Sequence, residues 1–394
     1  MNNITSKINE VLQTSVDNGS TRGANCLVFK DGEELYSGAF GFADFENKIP
    51  MSRDSIFRLF SLTKPITSAA AMILIDKGVI SPDDPVAKFF PEYEHLTYSA
   101  GSDQNGTEQI LPCPDILKIS HLLTMTSGLP YANNYCKSVC ASAQLFDAVI
   151  AAQNGIAPVT TEEFTRRASE IPLMFRPGDH WDYGISADIL GGVIEKASGM
   201  KYGDFLRENI FAPLGMDDTG FYVPEDKLSR FTALYKWGEN GLERDSENYL
   251  GLTDYTAPPA FESGGAGLVS TIDDYAKFAN MLCSRGKFGD VRIISNESFE
   301  YMTSPKLGKV QQSDLWERLK GYNYACLMRI LTDESSAEIK TSNGEFGWDG
   351  WTGTYFCANP STGIVCLYFT QIAGAGTTPQ AEKIDKIVYD ELVR

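Results

Sequence analysis

Strand patterns dominate only the two ends of this chain, while helical patterns fill its middle. This distribution is the strongest constraint on the fold. A strand near the N-terminus needs partners, and the supply of them lies at the far end of the sequence. Cys26-Leu-Val-Phe, Lys30-Asp-Gly and Glu34-Leu-Tyr-Ser-Gly-Ala-Phe read as a hairpin turning at Asp31-Gly32. An amphipathic helix over residues 1–20 precedes it, with Ile4, Ile8, Val11 and Leu12 on one side. Toward the C-terminus, a helix over 272–283 is followed by strand-like runs at 322–331, 337–341, 354–358 and 364–370, then a closing helix over 379–393. Between the ends lie helical segments at 117–125, 162–170, 186–197 and 203–210, and two sections, 99–109 and 133–159, that read as insertions or flaps. The simplest assembly joins both ends in one antiparallel sheet. Residues 1–60 and 265–394 then form a discontinuous lobe, residues 61–264 form a helical lobe, and a ligand belongs in the cleft between them.

The chain has 394 residues, more than one simple core holds. Its 34 Lys and Arg against 52 Asp and Glu give a net charge of −18, which repels phosphate backbones and anionic lipid; nucleic-acid and membrane partners are not expected. The longest apolar run, Ala69 to Ile75, falls far short of the ~20 residues a spanning helix needs. Nothing in the first twenty residues resembles a signal peptide, so the expected location is cytoplasmic. The eight cysteines are then expected to be reduced thiols. Cys136 and Cys140 share a helical face without a nearby histidine, so no zinc site is expected there.

The familiar hydrolase signatures are missing. There is no Gly-x-Ser-x-Gly, no His-Glu-x-x-His, no P-loop and no Gly-x-Gly-x-x-Gly opening a helix. The three histidines, His95, His121 and His180, sit in no recognisable setting. What remains is Ser61-Leu62-Thr63-Lys64, one of three Ser-x-x-Lys matches. Ser198 and Ser284, which begin the other two, are followed by turn residues. Ser61 instead opens an apolar helix running to Lys77, with Pro65 in its first turns and Gly78 at its end. At a spacing of three the two side chains meet, and a helix N-terminus favours negative charge on the serine oxygen. A partly desolvated amine has a lowered pKa and can take the serine proton. A helix cap beside a solvated lysine has the same four residues, so the motif needs its context.

That context is broad. The segments RLFSLTKPITSAAAMILIDKGVISPDDPVAKFFPEY, HLLTMTSGLPY, RPGDHWDYGISADILGGVIEKASGMKYGDFLRENIFAPLGMDDTGF and GGAGLVSTIDDYAKFANML occur in an order that resembles the serine β-lactamase-like family, which includes class C β-lactamases, DD-peptidases and family VIII carboxylesterases. The resemblance implies an α/β plus all-α fold of the β-lactamase/transpeptidase type. In the family a Ser-x-x-Lys, a Tyr-x-Asn and a Lys-Thr-Gly or His-x-Gly motif frame the site. Ser61 and Lys64 match the first, Tyr183-Gly184-Ile185 stands at the second and Trp348-Asp349-Gly350 at the third. The resemblance implies that Ser61 is the acylated nucleophile, Lys64 its proton acceptor and Tyr183 a proton relay. Backbone N–H groups of Ser61 and Trp351 would hold the oxyanion.

The departures carry information on substrate. Ile185 replaces the amide that contacts a β-lactam drug, and Trp348 replaces the cation that holds the drug's carboxylate. Ile185, Trp348, Asp349 and Gly350 are therefore expected to border a pocket suited to an ester with an apolar part. Met125 stands where a histidine is frequent and is expected to be structural. The expected activity is hydrolysis of a small-molecule carboxylic ester through a Ser61 acyl-enzyme, with no metal or cofactor. The alternatives are acyl transfer to an alcohol or amine, hydrolysis of β-lactams or D-amino-acid peptides, and an inactive binding protein on the same scaffold. Oligomeric state is open.

Overall fold

The computed structural model describes residues 2–132, 136–153, 158–252 and 255–393. Helix α1 (Asn2–Asp17) buries Ile4, Ile8 and Leu12, one residue per turn, and stops before Gly19 at φ +74°. Strands β1 (Gly23–Lys30) and β2 (Glu33–Asp44) form the expected hairpin. Asp31 at φ +53° and Gly32 at φ +82° give the turn two left-handed residues, the geometry that suits a two-residue hairpin.

The main sheet is completed by β3 (Ile49–Pro50), β4 (Tyr322–Tyr324), β5 (Arg329–Leu331), β6 (Phe346–Asp349), β7 (Tyr355–Asn359) and β8 (Ile364–Phe369). Its eight strands run in the order β4-β5-β6-β7-β8-β1-β2-β3, all pairs antiparallel. The two ends of the chain meet where β1 pairs with β8, Asn25 opposite Phe369 and Lys30 opposite Ile364. Alternation along the strands splits the apolar side chains between two faces. Cys26, Val28, Cys357 and Cys366 face α1 and the closing helix α5 (Pro379–Leu392). Leu27, Phe356, Leu367 and Phe369 face the larger core, which contains α2 (Thr63–Asp76), α3 (Ser186–Ser198) and α4 (Ile272–Cys283).

Three expectations are corrected. Residues 337–341 are bent, irregular backbone rather than a strand: Ala337 and Ile339 are buried, but the Thr341 amide donates back to the Ile339 carbonyl at 3.1 Å. The run 322–331 is two strands, because Leu327 at φ +57° reverses the chain between them. The middle also holds β-structure, with hairpins pairing Thr97–Ser102 with Glu108–Pro112 and Tyr235–Gly238 with Gly241–Arg244. The first of these is the flap placed at 99–109. The second flap contains a helix, Lys137–Gln153, while residues 133–135 and 154–157 of it lie outside the described residues. All eight cysteines are free thiols. Among the described residues no helix is long and apolar enough to cross a membrane.

Under α5 lies a buried polar cluster. Arg329 donates to Glu345 (3.0 Å) and to the Tyr355 hydroxyl (2.8 Å), and Tyr355 donates to Asp385 of α5. Tyr322 and Thr341 donate to the other Glu345 oxygen at 3.1 and 3.2 Å. One cation therefore faces two carboxyl groups, and burial pushes Asp385 up to about 7. A raised carboxyl binds its proton more tightly in the folded state, so its contribution to stability is lost as pH rises from the usual carboxylate range through 7. Replacing Asp385 by Asn removes this dependence. We expect the stability of Asp385→Asn relative to wild type to improve between pH 5 and 8, by on the order of 1–4 kcal/mol in urea unfolding. A pH-independent difference would show that Asp385 stays ionised.

Candidate active site

Ser61 sits in a single 3-10 turn, Phe60–Leu62, at the head of α2. The strand Ile56–Arg58 pairs with Val269–Thr271 and delivers the chain to this turn, and the Leu59 amide donates to the Leu268 carbonyl at 2.9 Å. Phe60 adopts φ +45°, a left-handed conformation unusual for a bulky residue, with its ring held 5.3 Å from that of Trp351. Every residue of α2 from Thr63 to Leu74 is buried, so the helix cannot shift to relieve the bend.

Lys64 is fully buried. Its Nζ lies 3.1 Å from Ser61 Oγ, 3.0 Å from the Tyr131 hydroxyl and 2.8 Å from the Gly265 carbonyl. Burial pulls its pKa down to about 7, against the opposing pull of the Asp188 and Asp349 carboxylates. An amine with this affinity is largely available as a base near neutral pH.

The Tyr183 hydroxyl accepts from Trp348 Nε1 at 3.0 Å. Lys64 Nζ lies over the Tyr183 ring, 4.6 Å from its centroid. Burial drives the Tyr183 pKa well above that of a free phenol, and Ser61 and Trp348 only partly oppose it. The hydroxyl is therefore neutral and suited to passing a proton; it is no standing phenolate. Its backbone is fixed by Gly184, where a Cβ would come within 1.9 Å of the Leu129 carbonyl.

The third motif is tied directly to the serine turn. Thr352 and Thr354 hydroxyls donate to the Arg58 and Leu59 carbonyls at 3.1 and 3.0 Å. Trp351 packs between Phe60 and Tyr249, 5.3 and 4.3 Å from their centroids. These straps bring the Trp351 backbone to the turn that carries Ser61.

The structure places the four expected pocket residues away from an open surface. Ile185 is fully enclosed in the core and offers no surface to a ligand. Asp349 is occupied by the protein, accepting from Thr377 and pairing with Arg318 at 3.3 Å. Gly350 is small because the Leu59 carbonyl presses on it, 2.2 Å from where a Cβ would sit. Trp348 is only 2% exposed, and it fixes Tyr183 more than it walls a cavity. The exposed aromatic beside Tyr183 is Trp316, 37% exposed and with its ring 5.1 Å away. Sequence reasoning missed Trp316, Tyr131 and Gly265. Tyr131 ends the segment HLLTMTSGLPY and Gly265 is the second residue of GGAGLVS, yet nothing in either pattern points at Lys64.

Gly350→Ala separates packing from ligand access. We expect it to lower stability by about 1–3 kcal/mol, as overpacking does. An unchanged thermal midpoint would mean that the glycine serves only the approach of a ligand.

The Beta-lactamase family model matches residues 8–388. Protein Rv1367c of Mycobacterium tuberculosis is 30% identical over 365 residues, 90% of this chain and 87% of its own. Esterase EstB of Burkholderia gladioli is 29% identical over 370 residues, 90% of this chain and 87% of its own. Among solved structures, EstCE1, described as a hydrolase with promiscuous acyltransferase activity, superposes with a TM-score of 0.79 at 25% identity, covering 98% of each chain. The architecture is thus the expected β-lactamase/transpeptidase-like one, an antiparallel sheet flanked by terminal helices with a helical region beside it.

Proposed function

The chain belongs to the Beta-lactamase family, and from that premise we propose that it is a serine hydrolase of small carboxylic esters acting through a Ser61 acyl-enzyme. The observation that carries this reading is the contact of Lys64 Nζ with Ser61 Oγ at 3.1 Å in a site that lowers the lysine's affinity for protons to about 7. Lys64 takes the Ser61 proton as the oxygen attacks the ester carbonyl. The Ser61 and Trp351 amides hold the oxyanion. Tyr183 relays to the departing alkoxide the proton that Lys64 took, so the amine is neutral again and the phenol keeps its proton; the same relay then serves the incoming water, whose proton returns to Ser61 as the acyl group leaves. The aromatic border of Trp316 and Trp351 favours an apolar acyl or alcohol part over a charged one.

Acyl transfer to an alcohol is the second reading, supported by the described activity of EstCE1. It shares the first half-reaction and differs in what enters second. The pairing of β1 with β8 supports treating residues 1–60 and 265–394 as one lobe and 61–264 as the other, with Ser61 at their junction. Eight free thiols fit a reducing cytoplasm.

Ser61→Ala is expected to abolish turnover of p-nitrophenyl butyrate and the mass adduct left by a fluorophosphonate. Tyr183→Phe is expected to lose about 10²–10⁴-fold in kcat/KM, the range for a lost proton-transfer group. Neutral Lys64 is the active form, so activity should rise with pH through a midpoint near 7. A fluorophosphonate adduct on another residue, or a flat profile from pH 5 to 9, would overturn the assignment. Adding methanol or butanol during turnover separates the two readings, since only transfer yields a new ester.

A further inference from the structure

Asp188 is a carboxylate sealed behind the lysine. It lies in the first turn of α3 and is almost completely buried. One oxygen, Oδ1, accepts from Ser263 Oγ at 2.5 Å and from the Gly265 amide at 3.0 Å. The other, Oδ2, has no hydrogen-bond partner among the described residues. A buried carboxylate oxygen left unpaired is costly, and a chain keeps one where its charge is used.

Two links connect Asp188 to Lys64. The first is mechanical. The Gly265 residue that donates to Asp188 through its amide accepts from Lys64 Nζ through its carbonyl, and Ser263 Oγ accepts from the Ala266 amide at 3.0 Å. The carboxylate therefore sets the conformation of the segment that fixes the amine. The second link is electrostatic. Burial raises the Asp188 pKa, and Lys64, then the bonds from Ser263 and Gly265, oppose it; Asp188 in turn is the larger of the two carboxylate influences on Lys64. The other, Asp349, is already offset by Arg318 at 3.3 Å. The remaining titratable groups around the pair, Tyr131, Tyr183 and Tyr202, are all held neutral by burial. Glu262, next to Ser263, is tied up by the Gly203 amide at 2.7 Å. Residue 265 has no room for a side chain. A Cβ there would sit 2.7 Å from Asp188 Oδ2 and 2.9 Å from the Tyr131 hydroxyl, and would wedge between the carboxylate and the lysine's partner.

We propose that Asp188 is a positioning residue for the acylation step: it fixes Lys64 through the 263–265 segment and is the buried counter-charge to the ammonium that forms when Lys64 takes the Ser61 proton. The proposal rests on the reading of Lys64 as the base. In this step the proton moves from Ser61 oxygen to Lys64 nitrogen, and Asp188 neither gives nor takes one.

The test is the pH profile of kcat/KM for p-nitrophenyl butyrate in Asp188→Asn. The amide keeps an acceptor for Ser263 and Gly265 but removes the charge. Without that charge the ammonium is less stable, so the acid limb should move down by about one pH unit and the plateau should fall about tenfold or more. A residue that only braced the loop would lower the plateau and leave the limb in place, and that result overturns the proposal. Should Asp188→Asn not fold, Ser263→Ala replaces it. That change removes one donor from the carboxylate, weakens its ionisation and should move the limb in the same direction; an unmoved limb again overturns the proposal. Wild type that fails to acylate Ser61, or shows no acid limb, defeats the Lys64 reading and this inference with it. A wild-type limb near 7 that Asp188→Asn leaves unmoved defeats this inference alone.

Discussion

An amine cut off from water and held against a serine hydroxyl is the contact on which the rest of this molecule depends. In solvent Lys64 would stay protonated and Ser61 would remain an ordinary alcohol. Burial changes both, but a buried amine is stable only if each of its protons or lone pairs has a partner. Ser61, Tyr131 and the Gly265 carbonyl supply them, and they come from three separate stretches of chain. The enclosure of α2, the bend at Phe60 and the glycine at 265 all follow from the need to bring those partners to one nitrogen.

Division of labour between the two tyrosines follows from the same geometry. The Tyr131 hydroxyl contacts the lysine and the Tyr183 ring lies under it, while Trp348 holds the Tyr183 hydroxyl by its indole N–H. Neither phenol gains an environment that would ionise it, since burial raises both. Basicity therefore resides on nitrogen, and the hydroxyl groups conduct protons without storing charge. A third motif built on tryptophan suits this arrangement, because an indole N–H orients a neutral phenol without adding a cation that would compete with Lys64.

Much of this was legible in the sequence where local chemistry decides the outcome. The Asp31-Gly32 turn, the amphipathic α1, the helix 272–283 and the Ser61–Lys64 spacing each follow from side chains close together in the chain. The hairpin at Tyr235–Gly238 and Gly241–Arg244 carried a readable signal as well, Asn240-Gly241, which went unused among the surrounding polar residues. What was not legible depends on distant partners. Ile185 has the chemistry of a pocket wall and is core because α3 turns it inward. Gly350 has the freedom to admit a ligand and is a glycine because Leu59, 291 positions earlier, lies against it. Asp349 has a free-looking carboxylate that Arg318 and Thr377 take up. The pattern at 337–341 predicted a strand, but the backbone there bends and pairs with no neighbouring strand of the main sheet. In each case the residue type was compatible with two roles, and only tertiary neighbours chose between them.

The threonine straps from Thr352 and Thr354 to the carbonyls of Arg58 and Leu59 have an outcome for biosynthesis. A nascent chain that has released Ser61 and Lys64 from the ribosome still lacks the strand that braces their turn and the β8 strand that receives β1. Such long-range pairing is slow to form. The reactive oxygen thus stays dormant until nearly the whole polypeptide has emerged, and a truncated product carries the nucleophile without the means to use it.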